Sequence, residues 1–191
     1  MDTLLTFGTD ERTARIALAT IAEPADTTTG RLLSSVGAVN TLSLLINDGP
    51  VPGLDKTDTQ VWRKRLLPRV EPQLVRDAIE RTERDGYGTL IPGDSGYPVS
   101  LNDLGDQAPY VLWFKGTESL LATSVDDRFT LTGARAATSY GIHVANELAS
   151  DLARDEKVLV AGGAYGIDGA VHQAALNASG HTVAVMAGGV D

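Results

Sequence analysis

Cysteine is absent from all 191 residues, so the chain can hold no disulfide, no thiolate metal site and no cysteine nucleophile. That absence fits a reducing compartment. No apolar run approaches the roughly 20 residues needed to span a bilayer. The opening stretch MDTLLTFGTDERTARIALATIA carries acids early and has no basic segment ahead of an apolar one, so a secretory leader is not expected and the protein is assigned to the cytoplasm. Cations are scarce as well: 16 Lys and Arg stand against 25 Asp and Glu, a formal net charge of −9. This argues against an indiscriminate polyanion binder, because Lys and Arg supply most non-specific affinity for phosphate chains. The deficit is uneven. Residues 1–85 hold 11 basic against 13 acidic residues, net −2, whereas residues 86–191 hold 5 against 12, net −7. A local basic groove can still serve an acidic protein, so the few cations of the second stretch matter individually.

With 42% hydrophobic and 21% charged residues the composition is that of a globular protein. The first 85 residues read as short helices between turn signals. Apolar periodicity predicts helices over Glu11 to Ala22, Gly30 to Val36 and Asn40 to Ile46, with a break at Pro24 and a stop at Asn47-Asp48-Gly49-Pro50. Two more are expected over Asp58 to Leu67 and Pro72 to Asp85. The cluster Arg63, Lys64, Arg65 and Arg69 is read as a solvated helix face in preference to a contact with a nucleic-acid backbone. At Gly86 the character changes to β-branched runs alternating with helical stretches, the pattern of an α/β architecture with a mostly parallel sheet. Candidate strands are Thr89 to Ile91, Tyr110 to Phe114, Arg128 to Thr132, Lys157 to Ala161 and Thr182 to Met186, with helices over about Ser139 to Arg154 and Ile167 to Ala178. The first of these helices places Ile142, Ala145, Leu148, Ala149 and Leu152 on one stripe, the spacing of a helix packed on a sheet.

Two strand-to-helix junctions are glycine-rich and fall at corresponding points of consecutive β-α units: LTGARAATSYG at 131–141 and LVAGGAYGID at 159–168. Glycine lets backbone amides approach a ligand, and a helix N-terminus adds unpaired N–H groups with partial positive charge, a combination that suits phosphate. In an open parallel sheet both junctions lie at the carboxyl ends of the strands, where ligands bind. Arg135, just after Gly133, would add a guanidinium able to grip a phosphate through two hydrogen bonds. Tight turns needed only to pack helix on strand explain one such loop easily, and two loops with an arginine less well. Gly162-Gly163-Ala164-Tyr165-Gly166 only approximates G-x-G-x-x-G, no acidic residue is placed for a ribose, and there is no G-x-x-x-x-G-K-[ST], so neither a nicotinamide cofactor nor P-loop hydrolysis is supported and no cofactor is expected. Asp168 and His172 lie four apart and can pair on one helix face; a helix-terminal stabilising role is preferred to an acid–base couple. His143 and His181 are scattered, so no metal site is readable. Tyr97-Pro98 and Trp113-Phe114-Lys115 are read as packing, with base stacking on an exposed aromatic the alternative.

The order of motifs resembles the DprA/Smf family of DNA-processing proteins. GTLIPGDSGYPVSLNDL at 88–104 and APYVLWFKG at 108–116 are similar to the family's approach segments, LTGARAATSYG to its Gly-Ser/Thr-Arg motif followed by Tyr-Gly, LVAGGAYGIDGAVHQAAL at 159–176 to its Gly-Ile-Asp signature, and HTVAVMAGGVD at 181–191 to the next strand and its Gly-Leu-Asp end. The resemblance implies a fold class of α/β type. A small sterile-alpha-motif-like (SAM-like) helical domain over 1–85 precedes a Rossmann-like, mostly parallel sheet with helices on both faces over 86–191, incomplete at its end. It further implies a non-enzymatic protein that binds and protects single-stranded DNA and helps load a RecA-type recombinase in DNA uptake or recombination, with a homodimer where the whole Rossmann domain is present. The family's DNA contacts carry over onto Gly133, Ala134 and Arg135 in the first loop and Gly162, Gly163, Ala164 and Gly166 in the second. Ala161 and Tyr165 depart from the Ser and Arg common in the second motif, removing a hydroxyl and a cation. A sheet ending at Gly188-Gly189 would leave an apolar edge uncovered, so the chain reads as part of a longer protein or a shortened relative with weakened affinity and dimerisation. Competing readings are a nucleotide-processing enzyme of the lysine-decarboxylase-like group, whose Pro-Gly-Gly-x-Gly-Thr motif is absent, and a plain interaction module built on the helical domain.

Overall fold

The computed structural model describes residues 7–188. The first six residues of the opening stretch and the closing residues 189–191, with the sheet end read at Gly189, therefore lie outside the described residues. The chain forms two compact units that divide between Lys115 and Gly116.

In the first unit, aspartates start three of the four helices. Asp10 accepts the Thr13 amide ahead of α1 (Glu11–Ile21), Asp26 accepts the Thr28 and Thr29 amides ahead of α2 (Thr27–Ile46), and Asp55 accepts the Asp58 amide ahead of α3 (Lys56–Leu66). In α4 (Pro72–Arg84) a proline at the first position takes that part. The two helices predicted over 30–36 and 40–46 are the arms of α2, which kinks at Gly37 (φ 79°) and begins earlier because Asp26 caps it. Leu18, Ile21, Leu42, Leu45, Trp62, Leu66 and Val75 are fully buried between the helices, each contributing on the order of 1.5–3 kcal/mol of apolar transfer. Trp62 satisfies its indole N–H by donating to Thr29 Oγ1 at 2.9 Å.

Strands β1 (Gly88–Leu90) and β2 (Leu112–Phe114) pair antiparallel with each other and belong to this first unit rather than to the parallel sheet. Polar ties hold their segment to the helices. Arg12 donates to the Thr89 carbonyl at 2.7 Å and to both carboxylate oxygens of Asp94 at 2.8 and 2.9 Å, Arg15 donates to the Tyr110 carbonyl at 3.0 Å, and the Tyr110 hydroxyl donates to the Asp26 carbonyl at 3.1 Å. The change of sequence character at Gly86 thus marks the start of strand, while the packing boundary comes only after β2. Tyr97 is buried, Trp113 donates to Thr82 Oγ1 at 3.0 Å, and Lys115 lies 5.3 Å from the centre of the Tyr87 ring, so these aromatics serve packing in this unit.

Three members of the basic cluster have internal partners. Arg63 donates to the Leu44 carbonyl through Nε and Nη2, at 3.1 and 2.7 Å, and to the Gly49 carbonyl at 3.0 Å. Arg65 pairs with Asp26, and Arg69 with Glu23 at 2.6 Å. The cluster is therefore largely a set of ties that hold α3 to the end of α2 and to the α1–α2 turn, rather than a free solvated face.

In the second unit β3 (Arg128–Thr130), β4 (Val158–Gly162) and β5 (His181–Val185) form a parallel sheet in the order β3-β4-β5. Helices α5 (Ser139–Arg154) and α6 (Ile167–Asn177) are the crossovers. They pack on each other and on β4 through Ala145, Ala149, Ala153, Val171, Ala174 and Ala175, over Leu159 and Ala161. The predicted stripe on α5 differs in one respect. Leu148 is 49% exposed, and the buried ridge is the alanine series, whose small side chains let the two helices approach closely.

Candidate functional site

Both glycine loops leave the sheet at its carboxyl edge. After β3 the Leu131 amide donates to the Val160 carbonyl at 3.0 Å, extending the ladder by one step. The chain then runs through Thr132, Gly133, Ala134 and Arg135 to Thr138, which caps α5 by accepting the Gly141 amide at 3.1 Å. After β4, Gly163, Ala164, Tyr165 and Gly166 lead into α6.

The two loops interlock. The Ile167 amide, first in α6, donates to the Ala134 carbonyl at 3.2 Å. Gly166 stands at φ 85°, and a Cβ there would lie 2.3 Å from the Ala134 oxygen and 2.4 Å from the Arg135 oxygen. Only glycine meets both requirements. Beneath the loops, Thr132 Oγ1 donates to Asp168 Oδ1 at 2.8 Å. Asp168 is 6% exposed, and its Oδ2 lies 2.6 Å from where a Gly162 side chain would begin. His172 bonds Thr182 Oγ1 through Nδ1 at 2.7 Å and the Gly162 carbonyl through Nε2 at 2.9 Å. Asp168 and His172 therefore do not pair with each other. Asp168 ties α6 to the first loop, and His172 ties it to β4 and β5.

The donors that remain are in the loops. Among the described residues the amides of Gly133, Ala134, Arg135, Gly163 and Ala164 donate no hydrogen bond. The helix ends contribute less than the sequence suggests, because Ile167, Gly169 and Ala170 donate to the Ala134, Ala164 and Gly166 carbonyls and Gly141 donates to Thr138. Gly162 is the last residue of β4 and backs the second loop.

Arg135 is exposed. The other four cations of residues 86–191 are engaged: Lys115 over Tyr87, Arg128 with the Leu121 carbonyl, Arg154 with Asp151 and Lys157 with Asp127. Among the described residues Arg135 has no ion pair or hydrogen bond. All seven predicted site residues thus converge on one junction, with an uncommitted cation beside five unpaired amides. The two positions that depart from the family pattern differ in kind. Ala161 is buried in the sheet at 2% exposure, whereas Tyr165 is 91% exposed in the second loop, and Tyr140, in the first turn of α5, is 77% exposed. Periodicity gave no signal for these two tyrosines, since a lone aromatic beside a loop reads equally as core.

The sequence model of the DNA recombination-mediator protein A family matches residues 88–191. The chain is similar to the putative DNA processing protein DprA of Mycobacterium tuberculosis strain H37Rv, with 39% identity over 158 residues that cover 75% of this chain and 40% of that protein. It is also similar to the DNA processing protein DprA of Bacillus subtilis strain 168, with 35% identity over 126 residues that cover 66% of this chain and 41% of that protein. The chain thus spans about two fifths of the length of these curated relatives. Among solved structures, the X-ray structure of DprA from Streptococcus pneumoniae superposes with a TM-score of 0.59 at 20% identity, covering 97% of this chain and 58% of that one, a likeness of fold.

Proposed function

Because the chain belongs to the DNA recombination-mediator protein A family, we propose that it binds single-stranded DNA at the junction of the two glycine loops, protects it and assists a RecA-type recombinase in the cytoplasm. In this reading the loops hold the sugar–phosphate backbone. The amides of Gly133, Ala134, Arg135, Gly163 and Ala164 donate to phosphate oxygens, Gly162 and Gly166 keep the loops free of side chains, and Arg135 supplies the charge. The observation that carries it is Arg135, the cation of residues 86–191 without a protein partner among the described residues, placed beside unpaired amides. No bond-making chemistry is assigned. Asp168 and His172, on the helix that follows the second loop, are bonded to Thr132, Thr182 and the Gly162 carbonyl, which we read as a supporting role. The test is fluorescence-anisotropy binding of a labelled oligo-dT strand to this protein and to Arg135→Ala at several salt concentrations. The proposal predicts salt-sensitive binding that the substitution weakens, and absence of binding by the folded protein at low salt overturns it.

A further inference from the structure

Tyr140 and Tyr165 flank the loop junction. Tyr165 directly precedes Gly166, which abuts the Ala134 and Arg135 carbonyls, and Tyr140 directly precedes Gly141, whose Cβ position lies 3.5 Å from Ile167 Cδ1, the same Ile167 that bonds Ala134 through its amide. They are the only tyrosines of the second unit, and both are largely exposed, at 77% and 91%, while Tyr97 and Tyr110 of the first unit are buried. Neither hydroxyl has a hydrogen-bond partner among the described residues. Two ring faces left in water beside a polar loop contribute nothing to the core.

The charge of this half of the chain says what they are for. A net charge of −7 over residues 86–191 leaves a single uncommitted arginine to attract a polyanion, which is a weak and salt-labile grip. Base stacking on an aromatic ring is insensitive to charge and tolerant of sequence, because every base has a π-face. We infer that Tyr140 and Tyr165 form a base-stacking platform, receiving unpaired bases of the strand whose backbone lies in the glycine loops. This rests on the proposed function and extends it, assigning the bases to a second set of contacts.

The experiment compares two labelled strands of equal length, oligo-dT and a phosphodiester strand in which every base is replaced by a tetrahydrofuran spacer. Each is titrated against the wild-type chain, Tyr140→Ala, Tyr165→Ala, the corresponding Phe variants and Arg135→Ala. The platform predicts tighter wild-type binding to oligo-dT than to the abasic strand. Each Tyr→Ala change weakens oligo-dT by about 5- to 150-fold and leaves the abasic strand unaffected, and each Tyr→Phe change is near neutral. Equal wild-type affinity for the two strands, unchanged oligo-dT affinity in the alanine variants, or equal weakening on both strands overturns the inference while the phosphate-binding reading stands. Binding of neither strand by the wild-type chain overturns both. An Arg135→Ala variant that weakens both strands alike, with the tyrosine effects confined to oligo-dT, supports both.

Discussion

The imidazole of His172 bonds the carbonyl oxygen of Gly162 through Nε2 at 2.9 Å. A carbonyl only accepts, so Nε2 carries the proton there, while Nδ1 lies 2.7 Å from the Thr182 hydroxyl oxygen, which in turn donates to the Leu159 carbonyl at 3.1 Å. The last peptide of β4, from which the second glycine loop departs, is thus aimed by a side chain on the helix that follows it. Replacing His172 by Ala leaves that carbonyl without a protein donor, and we expect a loss of about 1–3 kcal/mol in unfolding free energy. Urea denaturation followed by far-ultraviolet circular dichroism measures it, and an unchanged midpoint contradicts the assignment.

Gly166 and Gly169 lie three residues apart and respond oppositely to alanine. At Gly166 the new Cβ meets two backbone oxygens at 2.3 and 2.4 Å, and φ is 85°, so Gly166→Ala is expected to cost about 2–5 kcal/mol. At Gly169, inside α6, the Cβ sits at an ordinary 3.5 Å from the Ala164 oxygen, and Gly169→Ala is expected to stabilise by about 0.5–1 kcal/mol. Amide exchange of α6 in the two variants reads both signs, and a destabilised Gly169→Ala or a neutral Gly166→Ala contradicts the geometry.

Local pattern carried much of this fold. The periodicity over about Ser139 to Arg154 gave α5 its observed limits, and the β-branched runs at 128–132, 157–161 and 182–186 placed the three parallel strands to within a residue or two. The convergence of the two loops followed from their equivalent positions in successive β-α units. The assignment of residues 88–115 to the first unit was not legible, because it depends on bonds such as Arg12 to Thr89 and Arg15 to Tyr110, between residues 77 and 95 apart in sequence. The outward turn of Leu148 was hidden for a related reason. An alanine ridge is apolar enough to be buried, and the choice between the two faces of α5 depends on how closely α6 can approach.

Arg63 holds the end of α2 in place through three hydrogen bonds to the Leu44 and Gly49 carbonyls. Arg63→Ala is therefore expected to destabilise the first unit by about 1.5–3 kcal/mol, the range for charge-assisted bonds, while leaving DNA affinity unchanged. Both tryptophans, Trp62 and Trp113, lie in that unit, so their fluorescence during urea unfolding reports it selectively. A variant of wild-type stability with weakened DNA binding would return this arginine to the nucleic-acid surface.

Burial, reinforced by the neighbouring Asp26 carboxylate, pushes the Tyr110 hydroxyl up to about 12. In the unfolded chain it ionises near 10. Its contribution is complete below about pH 10 and is lost as pH rises toward 12, since the unfolded state releases the proton first. The loss is roughly 2–3 kcal/mol. Tyr110→Phe should be less stable at neutral pH by about 1 kcal/mol, having lost the bond to the Asp26 carbonyl, and should show a shallower decline above pH 10. Urea midpoints from pH 8 to 12 by tryptophan fluorescence test this, and an identical alkaline decline in the variant contradicts it.

In the proposed complex a nearly cation-free junction holds the DNA backbone through loop amides and Arg135. The most direct test is the affinity of oligo-dT for the wild-type chain and for Arg135→Ala as a function of salt. We expect salt-dependent wild-type binding, about 10- to 100-fold weaker binding at low salt in the variant, and a log–log salt slope reduced by about 0.7, the signature of one lost phosphate contact on a single strand. Equal affinity and slope in the two proteins, or no binding by the folded wild type at low salt, would contradict it.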